Sequence, residues 1–432
     1  MKRYEREAAS TGSSFLLRLT LPVVRSGAPF EGAEILDELP SSTGLVLWQG
    51  YRTAMAWVLA PPHEREGLFA PGAEGEIRSA LDSADLPPEL GPAVEVVRDI
   101  LADPVAVDPR RVADACTVVA DWAERRGDAP VTALCFTQAA AMCLPDDARL
   151  AFRAGGMARR RGSWDVAELW FRHASTVGRR RHDWEGHALA YLGLGNSYYQ
   201  QGRYTAAKRE HRKALRVSRR HGLREVQGRA HHDLFAVAIV TGDTAGAESA
   251  ARLAFDAYGS THPRIPALAH DTAYLWLTQG CFRRALPVFQ ALLLHFEQPQ
   301  DRLRVLASVG RAAAGCGERS VFEEVRGEVW RLVTEVEGTE VAATSLLQVA
   351  HGAAALEAWG RAEEAAGRAL AIGLQRGEVD IVSQAESVLG EVRSRHLLQL
   401  VVRPPSDSGV RAEADAFATS LVTSLLASAG AA

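Results

Sequence analysis

Two histidine–aspartate doublets are the residues whose types and spacing could do chemistry in this sequence. One lies within His231-His232-Asp233 and the other is His270-Asp271, which follows 38 residues later. Such a doublet on a helix can bind a divalent metal and so support phosphohydrolysis. However, 38 residues is also the period of an internal repeat, which gives both doublets the same place in consecutive units. We therefore expect them to pack or to line a binding surface, and we expect no metal and no cofactor.

Other patterns with chemical potential also favour structural roles. The sequence lacks G-x-x-x-x-G-K-[ST], G-x-G-x-x-G, G-x-S-x-G and H-E-x-x-H, the motifs of nucleotide-binding and hydrolytic sites. Gly155-Gly156 precedes three arginines and could cradle an anion, but Gly155 matches Gly195 one repeat later, where two helices must approach closely. The five cysteines form no C-x-x-C pair, which is typical of small buried residues in a reducing compartment. We do not expect an enzyme.

The elements that position these residues follow from the repeat. Its clearest unit covers residues 190–215 and reads AYLGLGNSYYQQGRYTAAKREHRKAL. Turn glycines recur 35 to 43 residues apart, at Gly127, Gly162, Gly202, Gly242, Gly280, Gly317 and Gly360. Small residues recur where two helices would touch, at Ala139, Ala174, Ala214 and Ala254, and large residues recur at the gap-filling position before the small one, at Phe136, Phe171, His211 and Phe289. A regular period of this length predicts stacked helix pairs.

This unit resembles the tetratricopeptide repeat, in the longer form found in bacterial signalling and regulatory proteins. The resemblance covers roughly residues 110–380 and is strongest over 150–295. It implies an all-α fold, a right-handed superhelical solenoid of about seven antiparallel helix pairs. The first helix of each pair would line a concave groove, and the partner would bind there.

The flanks of the array differ from it in pattern. We expect four regions, which are an N-terminal helical cap or docking region (1–105), the repeat array (106–400), a Pro/Ser/Gly linker (401–411) and a C-terminal helix (412–432). Within the first region, helices are predicted over 34–59, 75–83 and 86–101. The C-terminal helix has an apolar face that could cap the array or pair with a partner.

Charge is distributed unevenly along the chain. The net charge is −4 overall, but residues 149–229 contain 19 Lys or Arg and only six Asp or Glu. The repeat register places basic, polar and aromatic residues on the groove side of first helices, at Arg149, Arg159, Arg160, Asn196, Tyr199, Gln200, Arg229, His232, His270, Tyr274, Arg304 and Arg311. The second helices are basic as well and form an outer surface that is either solvated or a second binding face.

We therefore expect a non-catalytic scaffold that binds an acidic peptide or protein in a basic groove. Two alternatives stay open: a peptide-sensing regulatory protein, and an adaptor that binds nucleic acid through its arginine-rich middle repeats. The apolar run near the N-terminus is interrupted by Arg18 and Pro22, and no run of about 18 apolar residues occurs elsewhere. We expect neither export nor a membrane partner, and predict a cytoplasmic location.

Overall fold

The computed structural model describes residues 32–69, 86–336, 339–395 and 408–430, and every regular element within these ranges is a helix. The prediction of an all-α fold of paired helices is confirmed. The α-helices are α1 (Ile35–Glu38), α2 (Ser41–Leu59), α3 (Gly91–Ala102), α4 (Pro109–Arg126), α5 (Pro130–Cys143), α6 (Ala148–Arg160), α7 (Trp164–Arg180), α8 (Trp184–Gln200), α9 (Tyr204–Arg220), α10 (Arg224–Val240), α11 (Thr244–Tyr258), α12 (Ile265–Thr278), α13 (Phe282–Leu292), α14 (Pro299–Cys316), α15 (Arg319–Glu335), α16 (Glu340–Ala355), α17 (Trp359–Arg376), α18 (Val379–Ser394) and α19 (Ser408–Ala429).

The repeat units are the seven pairs from α4/α5 to α16/α17. In most pairs a tight turn reverses the chain, and its glycine adopts a left-handed conformation that other residues rarely take. The predicted glycines at 127, 162, 202, 242, 280 and 317 all have positive φ. The prediction for Gly360 is wrong, because Gly360 lies inside α17 and Glu357, with φ 58°, takes the left-handed position.

Close helix contacts depend on glycine at the predicted small positions. A Cβ added to Gly155 would lie 2.8 Å from the Phe171 ring, and one added to Gly193 would lie 2.2 Å from the same ring. Phe171 is 1% exposed, so its ring fills the space that these two glycines leave between α6 and α8. Gly195 similarly gives room to the His211 ring, with 2.3 Å to an added Cβ. Gly155 is therefore a packing residue.

The N-terminal helices α1, α2 and α3 pack on the first pair. Helices α1 and α2 contact α5, and α3 contacts α4. The Glu38 carboxylate accepts hydrogen bonds from the backbone N–H groups of Val131 and Thr132, at 2.6 and 2.8 Å. It thereby caps α5, whose own N-cap residue makes no side-chain cap. Helices predicted at 34–59 and 86–101 are present, whereas the one predicted at 75–83 lies outside the described residues.

The chain divides into two compact units, residues 1–226 and 227–432. In unit 2 the C-terminal helix α19 packs on α12 and α13. Phe417 lies against the rings of Phe255 and Trp276, and Leu421 and Leu425 are fully buried. Ion pairs at 2.6 and 2.8 Å tie its first half to α11 and α13, by Arg252–Glu413 and Arg284–Asp415. The last helix therefore folds back on the first third of unit 2.

Candidate functional site

The first helices of unit 2 bring polar side chains together around a cavity. It has a volume of about 260 Å³ and is lined by residues of α12, α14 and α16: His270, Asp271, Tyr274, Arg304, Ser308, Glu340, Val341, Thr344, Ser345 and Gln348. Three of the predicted groove residues, His270, Tyr274 and Arg304, are among them. Because three consecutive first helices contribute, the cavity can contact a ligand that runs across several repeats.

The two histidine–aspartate doublets meet at the edge of this cavity. One Asp271 oxygen lies 3.1 Å from His232 Nε2, and the other lies 3.2 Å from His270 Nδ1. Burial would raise the pKa of Asp271, but the hydrogen bonds from the two histidines outweigh it and lower that pKa to about 2. The carboxylate therefore holds two histidines from neighbouring repeats. Among the described residues, no group of three His, Cys, Asp or Glu side chains is arranged to hold a metal ion.

A second polar chain connects Tyr274, Gln348 and Arg311. The Arg311 guanidinium donates to Gln348 Oε1 at 2.8 Å, and Gln348 Nε2 lies 3.5 Å from the Tyr274 hydroxyl. Arg304, about two turns earlier on α14, is half exposed and pairs with Asp301 at 3.5 Å. Arginines 304 and 311 thus lie along one face of α14, where Ser308 separates them.

Arg311 carries its charge in a desolvated setting. Burial lowers its pKa, and within the described residues its one hydrogen bond goes to the neutral amide of Gln348. Arg311 also affects the neighbouring His351. Burial, followed by the positive charge of Arg311, lowers the pKa of His351 to about 4. His351 is therefore neutral at pH 7 and adds no second positive charge beside Arg311.

A buried hydroxyl adds to the polarity of the cavity. Ser345 is 2% exposed and lines the cavity. Its Oγ is buried without a hydrogen-bond partner in the described part of the chain. A buried hydroxyl that lacks a partner costs free energy, which a ligand atom in the cavity would recover.

The unit 1 residues of the predicted groove lie on α6 and α8, as the repeat register requires. Arg159 donates to Gln200 across these helices at 2.9 Å, and Arg160 pairs with Glu124 of α4 at 2.6 Å. Arg149 is exposed, Asn196 is half-buried, and Tyr199 packs edge-on against Tyr204. In unit 2, Arg229 and His232 lie half-buried on α10.

The basic block of residues 149–229 is partly neutralised from outside its own segment. Arg153 and Arg160 pair with Glu124 at 3.1 and 2.6 Å, and Arg181 pairs with Asp146 at 2.5 Å. These carboxylates belong to the preceding repeat. The sequence count therefore overstates the free positive charge of this surface.

Four of the five thiols, those of Cys135, Cys143, Cys281 and Cys316, have raised pKa values. Burial raises the pKa of Cys135 to about 12. A hydrogen bond with Cys116, followed by burial, raises the pKa of Cys143 well above its ordinary value. Reactive cysteines have lowered pKa values instead.

No helix in the described ranges is both long and apolar enough to cross a bilayer.

Sequence reasoning missed Gln348, Ser345 and His351 as members of this site. Asp271 was paired with His270 only as a doublet, although its spacing of 39 residues from His232 is the detectable hint of contact between repeats. Gln348 and Ser345 lie in a weakly matching repeat, where no consensus residue marks the register.

Comparisons with known proteins gave one family match and several similar solved structures. Residues 146–220 match the family of tetratricopeptide repeats. Similar solved structures include BtubC (BKLC) from P. vanneervenii, with 16% identity, TM-score 0.40, and coverage of 54% of this chain and 94% of that one. The apo form of RapI shows 11% identity, TM-score 0.43, and coverage of 66% and 98%. The Cut9–Hcn1 hetero-tetramer of the APC/C shows 14% identity, TM-score 0.45, and coverage of 81% and 63%. No curated protein matches the chain.

The stacked pairs, the left-handed turn glycines and the small residues at helix contacts define a helix-pair repeat protein, a class that serves as a scaffold for protein interactions. Within the chain, residues 146–220 are identified as tetratricopeptide repeats by the family match.

Proposed function

We propose that this chain is a non-catalytic interaction scaffold, and that it binds an acidic segment of a protein partner on the first helices of unit 2. The observation that carries the proposal is Arg311, a desolvated guanidinium that hydrogen-bonds to a neutral amide. A cytoplasmic location belongs to the proposal, since all five cysteines are free thiols.

A buried charge without a counter-charge is unfavourable, because the low-dielectric surroundings replace its hydration poorly. A ligand carboxylate would supply a counter-charge, which Arg311 lacks among the described residues. Arginine suits this role, since its planar guanidinium can donate two parallel hydrogen bonds to one carboxylate. Half-exposed Arg304 would attract a second acidic group on the same face of α14.

The residues that line the cavity, which Arg311 reaches through Gln348, suit the backbone of an extended peptide. Gln348, Tyr274 and the Ser345 hydroxyl offer hydrogen bonds without a fixed charge. Asp271 and Glu340 bring negative charge to the same cavity. The site would therefore select acidic side chains at defined positions and would not bind every polyanion equally.

The test is selection from a random peptide display library with the full chain as bait. We expect the recovered peptides to be enriched in Asp and Glu at fixed spacing. Their binding, measured by fluorescence anisotropy, should weaken at least about tenfold in Arg311→Met, since losing a charge-assisted hydrogen bond costs about 1.5–3 kcal/mol. Methionine keeps the apolar stem of the side chain while it removes the charge.

Arg331→Met is the matched control, because Arg331 is an exposed arginine on second helix α15 that pairs with Glu335. It should leave peptide affinity unchanged. Peptides without acidic enrichment, or equal affinity of the Arg311→Met and wild-type chains, would contradict the proposal.

A further inference from the structure

The outer face of α9 in unit 1 is a continuous stripe of arginine. Arg209, Arg212, Arg216 and Arg219 are exposed at spacings of three and four residues, which places them on consecutive turns of one helical face. Rising about 1.5 Å per residue, the stripe is about 15 Å long. Helix α9 as a whole contains seven Lys or Arg and one Glu.

Helix stability does not account for this stripe. In the described residues, neither Arg212 nor Arg216 has an ion-pair partner. The single acid of the helix, Glu210, is buried and held by Lys213 at 2.8 Å and Arg209 at 2.9 Å. Like charges three and four residues apart destabilise a helix, and a solvated face normally mixes both signs. The middle of the stripe therefore carries free charge at a cost to the fold.

An aromatic cluster lies at the turns next to the end of this helix. The rings of Trp184 and His221 are stacked with centroids 4.3 Å apart, and exposed His182 lies 5.6 Å from Trp184. His182 has φ 58°, although the neighbouring turns use glycine at this left-handed position. A non-glycine residue is strained there, and such strain is often found at functional sites.

We propose that this surface binds a single-stranded nucleic acid, with the arginine stripe on the phosphates and the His182–Trp184–His221 cluster stacking on a base. Arginine donates paired hydrogen bonds to phosphate, and an exposed aromatic face accepts any base. The proposal goes beyond the peptide-binding function and uses none of its residues.

The chemistry favours a nucleic acid over the other anionic partners. An anionic bilayer would also need apolar side chains to insert, but among the described residues none of the large exposed hydrophobic side chains lies between Val105 and Ile239. An acidic protein would gain little from stacked rings. A regular row of arginines about one helical turn apart suits a chain with regularly spaced phosphates.

The first experiment measures anisotropy of fluorescent oligothymidylate and oligouridylate with the full chain over a range of salt. Arg212→Gln/Arg216→Gln should reduce the slope of log K against log salt by about 1.4, or about 0.7 for each lost phosphate contact. A slope change of about 1.4 corresponds to about 25-fold weaker binding of the oligonucleotide by the double variant than by wild type at 0.1 M salt. Arg331→Gln is the control and should change neither quantity.

His182→Gly separates binding from folding. Glycine relieves the strained turn, so the melting temperature should rise, whereas loss of the ring should weaken oligonucleotide binding. A merely structural His182 would leave binding intact. Arg311→Met should not affect this binding, so the two proposals fail independently.

Three results would overturn the inference: no oligonucleotide binding by the wild-type chain, an unchanged salt slope in the double arginine variant, or wild-type binding to phosphatidylserine vesicles or polyglutamate in preference to the oligonucleotides.

Discussion

Two adjacent glycines of α6 provide a direct test of the packing described above. Gly155 faces the Phe171 ring at 2.8 Å from an added Cβ, whereas an added Cβ at Gly156 would meet no atom within 4 Å. Replacing each in turn by alanine changes the same helix by the same single methyl group. The two variants therefore differ in packing and share their backbone effect.

The magnitudes follow from these distances. Alanine in a helix interior is favoured over glycine by about 0.8–1.0 kcal/mol, so Gly156→Ala should stabilise unit 1 by about that amount. Gly155→Ala gains the same stabilisation from helix propensity, but its methyl group is forced against the ring of Phe171. That ring is 1% exposed and has no room to move. Overpacking costs about 1–3 kcal/mol, and Gly155→Ala should be less stable than Gly156→Ala by that difference.

Thermal unfolding followed by circular dichroism measures this gap, which should be about 2–12 °C at about 2–4 °C per kcal/mol. Adding Phe171→Leu to Gly155→Ala and to the wild-type chain completes a double-mutant cycle. The smaller side chain should remove most of the cost of the methyl group. Equal stabilisation by both alanines would refute the packing of Phe171 against Gly155.

Three further outcomes are expected. Glu38→Gln should destabilise the chain by about 1–2 kcal/mol in urea unfolding, because a neutral amide replaces the charged cap of α5, and an unchanged midpoint would show that the cap contributes nothing. Because folding lowers the pKa of Asp271, its carboxylate stabilises the folded chain fully above its unfolded pKa of about 3.9, and this stabilisation is lost as the pH falls toward about 2. Asp271→Asn should therefore destabilise the chain at pH 6 by less than about 1 kcal/mol, since the side chain is exposed to solvent. The difference in stability from wild type should vanish near pH 2. Folding disfavours protonation of His351, whose pKa is about 4, so the free energy of unfolding should decrease as the pH falls from about 6.5 toward 4. Arg311→Met should raise the pKa of His351 in an NMR titration. An unchanged pKa would show that the arginine charge does not lower it.

Much of the fold follows from the sequence because repeat packing is local. The spacing of the glycines and small residues identifies the pairs, since one backbone position per turn needs positive φ and one per contact needs no Cβ. Gly360 shows the limit of this reasoning. A left-handed turn can be made by Glu357, and a glycine within three residues of it then misleads the alignment.

The site was only partly predictable. The register correctly placed Arg304 and Arg311 on the first helix α14, because helix faces follow from the period. It could not find Gln348, whose role depends on which rotamers meet across two repeats. Nor could a count of charges along the chain show that Glu124 and Asp146 neutralise arginines 29 to 36 residues away. The binding roles of the predicted groove residues and the regional boundaries stay predictions.

The position of α19 affects how unit 2 folds. In a simple repeat array each helix contacts its sequence neighbours, so the ends can fray one pair at a time. Here Glu413 and Asp415 contact residues 161 and 131 positions earlier, and His295 bonds to the Leu425 carbonyl across 130 positions. These contacts close a loop that contains α14 to α18, which raises the contact order and should slow folding. Because of these contacts, helices α14 to α18 should open together with α19. Unit 2 should therefore exchange its amide hydrogens as one cooperative block.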